Sequence, residues 1–414
     1  MAEEELELVE PDYIQEFACL AGDCPDTCCA NWEIAFDEAA CARYATAGAD
    51  ADVAAGCRAA VKRNTEPVAD GTVPYAFVTL TPEQRCAFLL PDDCCLIQRR
   101  TSERNLPRTC RTYPRVWHRW GAGYAECSMD VSCPLAARLI LDRHSSLRYS
   151  TRRLAAAELA GYRLARVEKA EDTIGRQLRN FLIFLLQQQS FTVEERLLLA
   201  NRFFWAAVAA PDRASTALVD RYLGLLEKPE TVRARLSEGE PQRAMQLDVV
   251  RILLGHRLQM PDAPVSEGFA AAAGRCRQRW ELSAERPVTQ GNVRLYSEDL
   301  LVWEQFAVRH TYMGENYLVN QVFKQLCFAG QRADEQRWLE LIYEFAAGRA
   351  LLAAAAGEAA SAGRELGLPA AITLLQQAAR SIEHNEAYLQ QVAKFITVLQ
   401  MNQRDGMEAL IRSR

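Results

Sequence analysis

The chain has 414 residues, 49% hydrophobic and 25% charged, which is material for two or three domains with their own cores. A net charge of −6 excludes the basic surface expected of a nucleic-acid-binding protein. The longest uninterrupted apolar run, 203–210, is eight residues, far short of a membrane span. The opening MAEEELELVE is acidic and lacks the basic start and apolar run of a signal peptide, so a cytoplasmic protein with reduced thiols is expected. Fourteen cysteines in a reducing compartment require an explanation other than disulfides.

In chain order, Asp37 to Tyr44 and Asp50 to Arg63 read as helices. Tyr75 to Leu80 alternates as a short strand, and Cys133 to Arg143 reads as a helix entered through Pro134. The GAGY at Gly121 is a turn and lacks the spacing of a Rossmann phosphate loop. From Arg152 the chain reads as helix after helix. Arg152 to Ala170 is Ala/Leu-rich, and Thr173 to Gln189 sets Ile174, Leu178, Phe181, Leu182, Leu185 and Leu186 on one face. Thr192 with Glu195 forms a capping box for a helix reaching Ala209. Further helices are predicted over Ser215–Leu226, Glu240–His256, Val265–Ser283 and Ser297–His310. Four more follow over Glu315–Ala329, Asp334–Ala355, Ala370–Glu383 and Glu386–Gln400. Pro211, Pro229, Pro261 and Pro369 fall between these runs. The expected fold is mainly α with little sheet: a cysteine-rich, loop-rich metal-binding region (1–145) packed on an all-helical domain (146–414).

Twelve of the fourteen cysteines lie in the first 133 residues. One group is Cys19, Cys24, Cys28 and Cys29; a second is Cys86, Cys95, Cys110 and Cys133, with Cys94 beside Cys95. Closely spaced thiols let one loop present several donors to one centre, and thiolates select zinc, copper(I) or iron–sulfur over hard ions. A disulfide scaffold suits neither compartment nor size. Structural zinc usually uses paired knuckles, which only part of the first group provides. An iron–sulfur cluster needs about four thiolates at irregular spacing and is often followed by Pro, as at Cys133-Pro134. These eight are the candidate ligands, more than one four-iron cluster needs. Cys41, Cys57, Cys127, Cys276 and Cys327 read as core residues. Arg111 and Arg115 would either balance an anionic cluster or bind a carboxylate of substrate or cofactor. Asn316 and Asn320 share a helix face, where structural hydrogen bonding is the default.

These residues resemble the flagellin lysine-N-methylase family. The resemblance is carried by Phe17-Ala-Cys19, Cys24-Pro-Asp-Thr-Cys28-Cys29-Ala-Asn-Trp32 with Ile34 and Asp37, Cys86-Ala-Phe-Leu89 and Cys95-Leu-Ile-Gln98. Leu106, Thr109-Cys110-Arg-Thr-Tyr-Pro-Arg115 and Ser132-Cys133-Pro-Leu-Ala-Ala-Arg138 continue it. Glu315-Asn-Tyr-Leu-Val-Asn-Gln-Val-Phe-Lys324 and Arg380-Ser-Ile-Glu-His384 extend it almost to the C-terminus. The cysteine half alone is also similar to a broader class of zinc- or iron-chelating proteins. The resemblance implies methyl transfer to lysine ε-amines of flagellin, S-adenosylmethionine as donor, and a cysteine-bound centre, a [4Fe-4S] cluster with zinc as alternative. Arg111 and Arg115 become candidate cofactor-binding residues. A lysine ammonium must shed a proton before a polar attack; Glu126, Tyr113, Asp37 and Glu315 are candidate bases. Leu135, Cys127 and Gln321 depart from the family pattern, the first where Glu is usual after Cys-Pro, which bears on substrate or donor contact. The other class of reading is a non-catalytic zinc- or iron-binding or electron-transfer module whose helices dock a protein partner. No nucleic-acid or membrane partner is expected.

Overall fold

The computed structural model describes residues 5–32, 34–46, 49–64, 75–121, 123–162, 164–167, 173–210, 215–260, 265–328 and 334–413. The chain divides into two compact units, Met1–Ala136 with Tyr149–Arg166, and Ala137–Arg148 with Val167–Arg414.

The first unit opens on β1 (Glu5–Pro11), whose E-L-E-L alternation buries Leu6 and Leu8 and leaves Glu5 and Glu7 outside. β2 (Ala35–Phe36), α1 (Glu38–Ala45), α2 (Ala51–Ala60), β3 (Val61–Arg63) and β4 (Ala76–Val78) follow. Then come α3 (Leu96–Arg100), α4 (Arg108–Thr112), β5 (Arg115–Trp120), β6 (Tyr124–Met129) and α5 (Pro134–Leu141), which runs on into the second unit, and finally β7 (Tyr149–Ala155) and β8 (Leu164–Arg166). Five strands form a mixed sheet in the order β7-β1-β6-β5-β8, and three form a small sheet, β2-β4-β3.

Two expectations fail here. The helix predicted over Arg152–Ala170 is instead β7, a 3-10 turn over Ala156–Gly161, and β8. This leaves the first unit with more sheet than expected, while the described residues as a whole are mainly helical, as expected. The cause is a tertiary partner: β7 pairs antiparallel with β1 along its whole length, from Glu5 opposite Ala155 to Pro11 opposite Tyr149. Its arginines meet the acidic strand, Arg152 pairing with Glu10 at 2.9 Å and Arg153 with Glu5 at 3.1 Å. An Ala/Leu/Arg composition favours helix locally, and the waiting sheet edge overrides it. The helix expected to reach Arg63 stops at Ala60, where β3 joins β4.

The second unit is helical: α6 (Thr173–Leu186), α7 (Val193–Ala209), α8 (Ser215–Leu226), α9 (Pro229–Leu236), α10 (Arg243–Leu258) and α11 (Glu267–Arg279), then α12 (Gln290–Arg309), α13 (Thr311–Lys324), α14 (Asp334–Ser361), α15 (Leu368–Ile382), α16 (Glu386–Val398) and α17 (Arg404–Ile411). The capping box holds in both directions: Thr192 Oγ1 accepts from the Glu195 amide at 3.2 Å, and Glu195 accepts from the Thr192 amide at 2.7 Å. Pro229 and Pro369 occupy the first turns of α9 and α15, where a missing N–H costs nothing. Pro211, Pro261, Ala329 and residues 168–170 lie outside the described residues. The spine is α14, buried on nearly every side and touching α10 to α13 and α15 to α17. A helix buried on nearly every face belongs at the centre, and α14 buries Arg337, Glu340, Glu344 and Arg349 along with its apolar residues. Its alanines allow close approach, and Trp338 stacks on Phe204 with ring centroids 4.8 Å apart. Burying each such ring contributes roughly 2–3 kcal/mol.

The two C-terminal sequence stretches meet here. Glu383 accepts from Gln321 at 2.6 Å and from the Tyr317 hydroxyl at 3.4 Å, and it pairs with Lys324, whose ammonium is buried with it. Asn316 donates to the carbonyls of Arg143 and Ser145 at 2.9 and 3.1 Å, the structural role expected of it. Among the described residues, no helix is long and apolar enough to cross a membrane.

Candidate metal centre

The loop carrying the first cysteine group folds against the segment carrying the second. The Cys86 amide donates to the Cys29 carbonyl and the Asn31 amide to the Gln84 carbonyl, both at 2.8 Å. Gly22 is needed at this junction: a Cβ there would stand 2.7 Å from the Asp92 carbonyl oxygen. Cys95 caps α3 and Cys110 lies within α4, while Cys133 sits immediately before α5, so the second group rides on short helices and their ends.

Seven of the eight candidate ligands, Cys19, Cys24, Cys28, Cys29, Cys95, Cys110 and Cys133, line one cavity of about 90 Å³. Cys86 does not; it is buried in the apolar cluster of Ile34, Phe36, Val53 and Phe88, against which Cys29, Cys95 and Cys110 also pack. Cys41 and Cys57 pack on that same cluster from α1 and α2, and Cys127, Cys276 and Cys327 are buried elsewhere. Among the described residues, no three His, Cys, Asp or Glu side chains are drawn around a common point at metal-ligand spacing. The thiols thus share a wall without being clamped.

Their electrostatics are those of crowded donors. A hydrogen bond that the Cys28 thiol donates to Cys29, then burial, pushes Cys28 well up. Burial, followed by Cys29, Cys95 and Cys86, does the same to Cys110. Burial takes Cys133 to about 11, with Cys24 and Cys19 adding to it, and Cys86 to about 12. Among the described residues the cavity lining has no Lys, Arg or His, and it includes Asp26, Asp93 and Glu103. Thiolates formed there would need their charge balanced from within the cavity, which suits a soft metal cation or metal–sulfur cluster.

Arg111 and Arg115 do not line this cavity. They face a second one of about 580 Å³, with Arg104, Arg152, Glu10, Trp117 and Tyr162 among its walls. The Arg111 guanidinium lies 4.9 Å from the centre of the Tyr162 ring, and that of Arg115 lies 4.9 Å from the centre of Phe17.

The four candidate bases are dispersed. Tyr113 lines the cysteine cavity, its hydroxyl 3.0 Å from Ser132 Oγ; burial and then Cys133 push it well above the ordinary range, which makes it a poor base. Asp37 caps α1, accepting from the Ala40 amide at 3.0 Å and the Arg108 amide at 2.6 Å. Glu126 is buried on β6 and accepts from the Tyr124 hydroxyl at 2.9 Å. Glu315 forms a buried ion pair with Arg196 in the second unit. Sequence reasoning passed over Glu103, which lines both cavities, and the buried Glu10. The alternation of β1 could have flagged Glu10, since it falls on the same side as Leu6 and Leu8.

No protein of curated function and no solved structure matches the chain. A family model described as the FliB lysine N-methylase C-terminal domain matches residues 179–411, more than half of the chain and all within the helical unit. The helical stretches that resembled this family in sequence, 315–324 and 380–384, lie inside the matched segment and hold each other through Glu383. The chain therefore belongs to the flagellin lysine N-methylase family and is a protein-lysine N-methyltransferase.

Proposed function

We propose that this enzyme methylates lysine ε-amines of flagellin, taking the methyl group from S-adenosylmethionine, with a metal centre, a [4Fe-4S] cluster or alternatively zinc, held by the cysteine cavity. The observation that carries the metal part is the convergence of seven thiols on one cavity that, among the described residues, has no basic side chain in its lining. Four of Cys19, Cys24, Cys28, Cys29, Cys95, Cys110 and Cys133 would hold the group; Cys86 would need to turn out of the apolar cluster to join them. Bound there, such a centre would supply Lewis-acid or redox chemistry next to the donor.

The chain's own contribution to a polar transfer is removal of the lysine proton, without which the nitrogen lone pair is not available. Glu103 is the carboxylate placed to accept it, since it borders both cavities. A 90 Å³ space suits an inorganic group; a donor of nucleoside size needs a few hundred cubic ångströms, as the second cavity offers. The test is mass spectrometry of flagellin incubated with anaerobically prepared enzyme and S-adenosylmethionine. Lysine-containing peptides should gain mass in steps of one methyl group. An unmodified flagellin alongside a different methylated protein would move the substrate assignment elsewhere.

A further inference from the structure

We propose that the arginine-walled cavity of the first unit is a site for an α-amino acid end, binding its carboxylate through Arg111 and Arg115 and its ammonium through Glu10. This rests on the donor reading above, in which that end is the methionyl part of S-adenosylmethionine.

Glu10 is the least expected wall residue. It is 1% exposed, and its Oε1 accepts from Arg152 at 2.9 Å and from Gln15. Its Oε2 is buried without a hydrogen-bond partner. A carboxylate oxygen left bare in a protein interior loses its hydration without compensation, so a donor from outside the chain is the natural complement. An ammonium is the strongest such donor. Trp117, 5% exposed and on the same wall, has a buried indole N–H that is likewise unmatched. The opposite charge is supplied by Arg111 and Arg115. Among the described residues their guanidinium N–H groups make no hydrogen bond; each lies over an aromatic ring instead. Stacked guanidinium planes with uncommitted edges are suited to bidentate capture of a carboxylate.

Four arginines against three carboxylates (Glu10, Glu103, Glu158) make the lining nearly neutral. A polyphosphate would be repelled by Glu10, and a plain amine by the arginines; a zwitterion satisfies both. Arg111 also follows Cys110 directly in α4, so the carboxylate-binding edge of this cavity and the thiol wall of the other are placed by one short helix.

Equilibrium dialysis with the full-length, metal-loaded protein tests this, using S-adenosylmethionine and 5′-methylthioadenosine, which keeps the nucleoside and the methylated sulfur but lacks the amino acid end and the sulfonium charge. Wild-type protein should prefer S-adenosylmethionine by on the order of tenfold or more, the usual worth of charge-assisted hydrogen bonds. In Glu10→Gln and in Arg111→Ala that preference should collapse while 5′-methylthioadenosine binds as before. Arg111 is half-exposed, so its variant stays folded even where the buried Glu10→Gln does not. A preference retained in a folded Arg111→Ala and in an Arg115→Ala variant overturns the site and leaves the donor reading standing. Absence of S-adenosylmethionine binding by wild type overturns the donor reading, and the site with it.

Discussion

Glu315 lies in a stretch that resembles the family's, and as a buried carboxylate it invites a catalytic reading; its ion pair with Arg196 supports a structural one, which can be tested. Its side chain is 2% exposed and pairs with Arg196, which is 3% exposed. Gln189 donates to the same carboxylate oxygen at 2.6 Å. In Glu315→Gln the shape survives but the guanidinium loses its counter-ion inside the protein. Breaking a buried pair from one side costs about 3–5 kcal/mol. Arg196 keeps its bonds to the Phe191 carbonyl at 2.7 Å and Gln189 Oε1 at 3.1 Å, which argues for the lower end, about 3 kcal/mol. With a urea slope of about 2–3 kcal/mol/M, the midpoint should fall by roughly 1 M. The assay is urea unfolding by far-UV circular dichroism, which reports mostly on the helical unit, alongside methylation per folded molecule. The account expects lost stability with activity retained under folding conditions. An unchanged midpoint with methylation abolished would refute it.

Other outcomes follow from the same geometry. Glu103→Gln should leave the unfolding midpoint unmoved and slow methyl transfer by on the order of a hundredfold, the typical worth of a general base, with the deficit shrinking as pH rises and free lysine amine accumulates. Cys41→Ala and Cys57→Ala should leave metal content unchanged by elemental analysis, because both thiols pack on the apolar cluster outside the cavity. Glu408 should make the helical unit sensitive to acid. Burial pushes its carboxyl up, but Arg202, at 2.8 and 3.1 Å, and Arg412, at 2.7 Å, outweigh burial and hold it below the ordinary range. A depressed folded-state pKa means its stabilisation is full above the unfolded value of about 4.5 and is lost as pH falls below it. Wild type and Glu408→Gln should therefore differ in stability at pH 7 and converge toward pH 3, as read by thermal unfolding.

Long periodic segments were legible in the sequence because their burial follows a helix's own geometry. The apolar face of α6 and the Thr192–Glu195 box need no distant partner to be recognised. Apart from β4, which falls inside the strand predicted over Tyr75–Leu80, the strands were not, since β7 is an exposed arginine-bearing segment made extended by β1, which lies about 140 residues earlier. The short helices α9 and α17 were missed because eight residues are too few to show a helical period clearly. At the site, cysteine spacing singled out the thiols that share a cavity but could not set Cys86 apart from them, because its burial depends on packing against Phe36 and Phe88. Arg111 and Arg115 were legible as a pair of cations. Their place in the wall of the second cavity was not, because it depends on Tyr162 and Phe17, rings supplied by other segments.

The central claim is that the thiol cavity and lysine methylation belong to one function. The direct measurement is a paired one on full-length protein prepared without oxygen: iron, sulfide and zinc content, and methyl increments on flagellin lysines, for wild type and for Cys110→Ser. Cys110 lines the cavity from α4, and serine keeps its size while removing a soft ligand. The account predicts that wild type carries the metal centre and methylates, and that Cys110→Ser loses metal and methylation together with its helical circular dichroism intact. Full methylation by metal-free protein would contradict it.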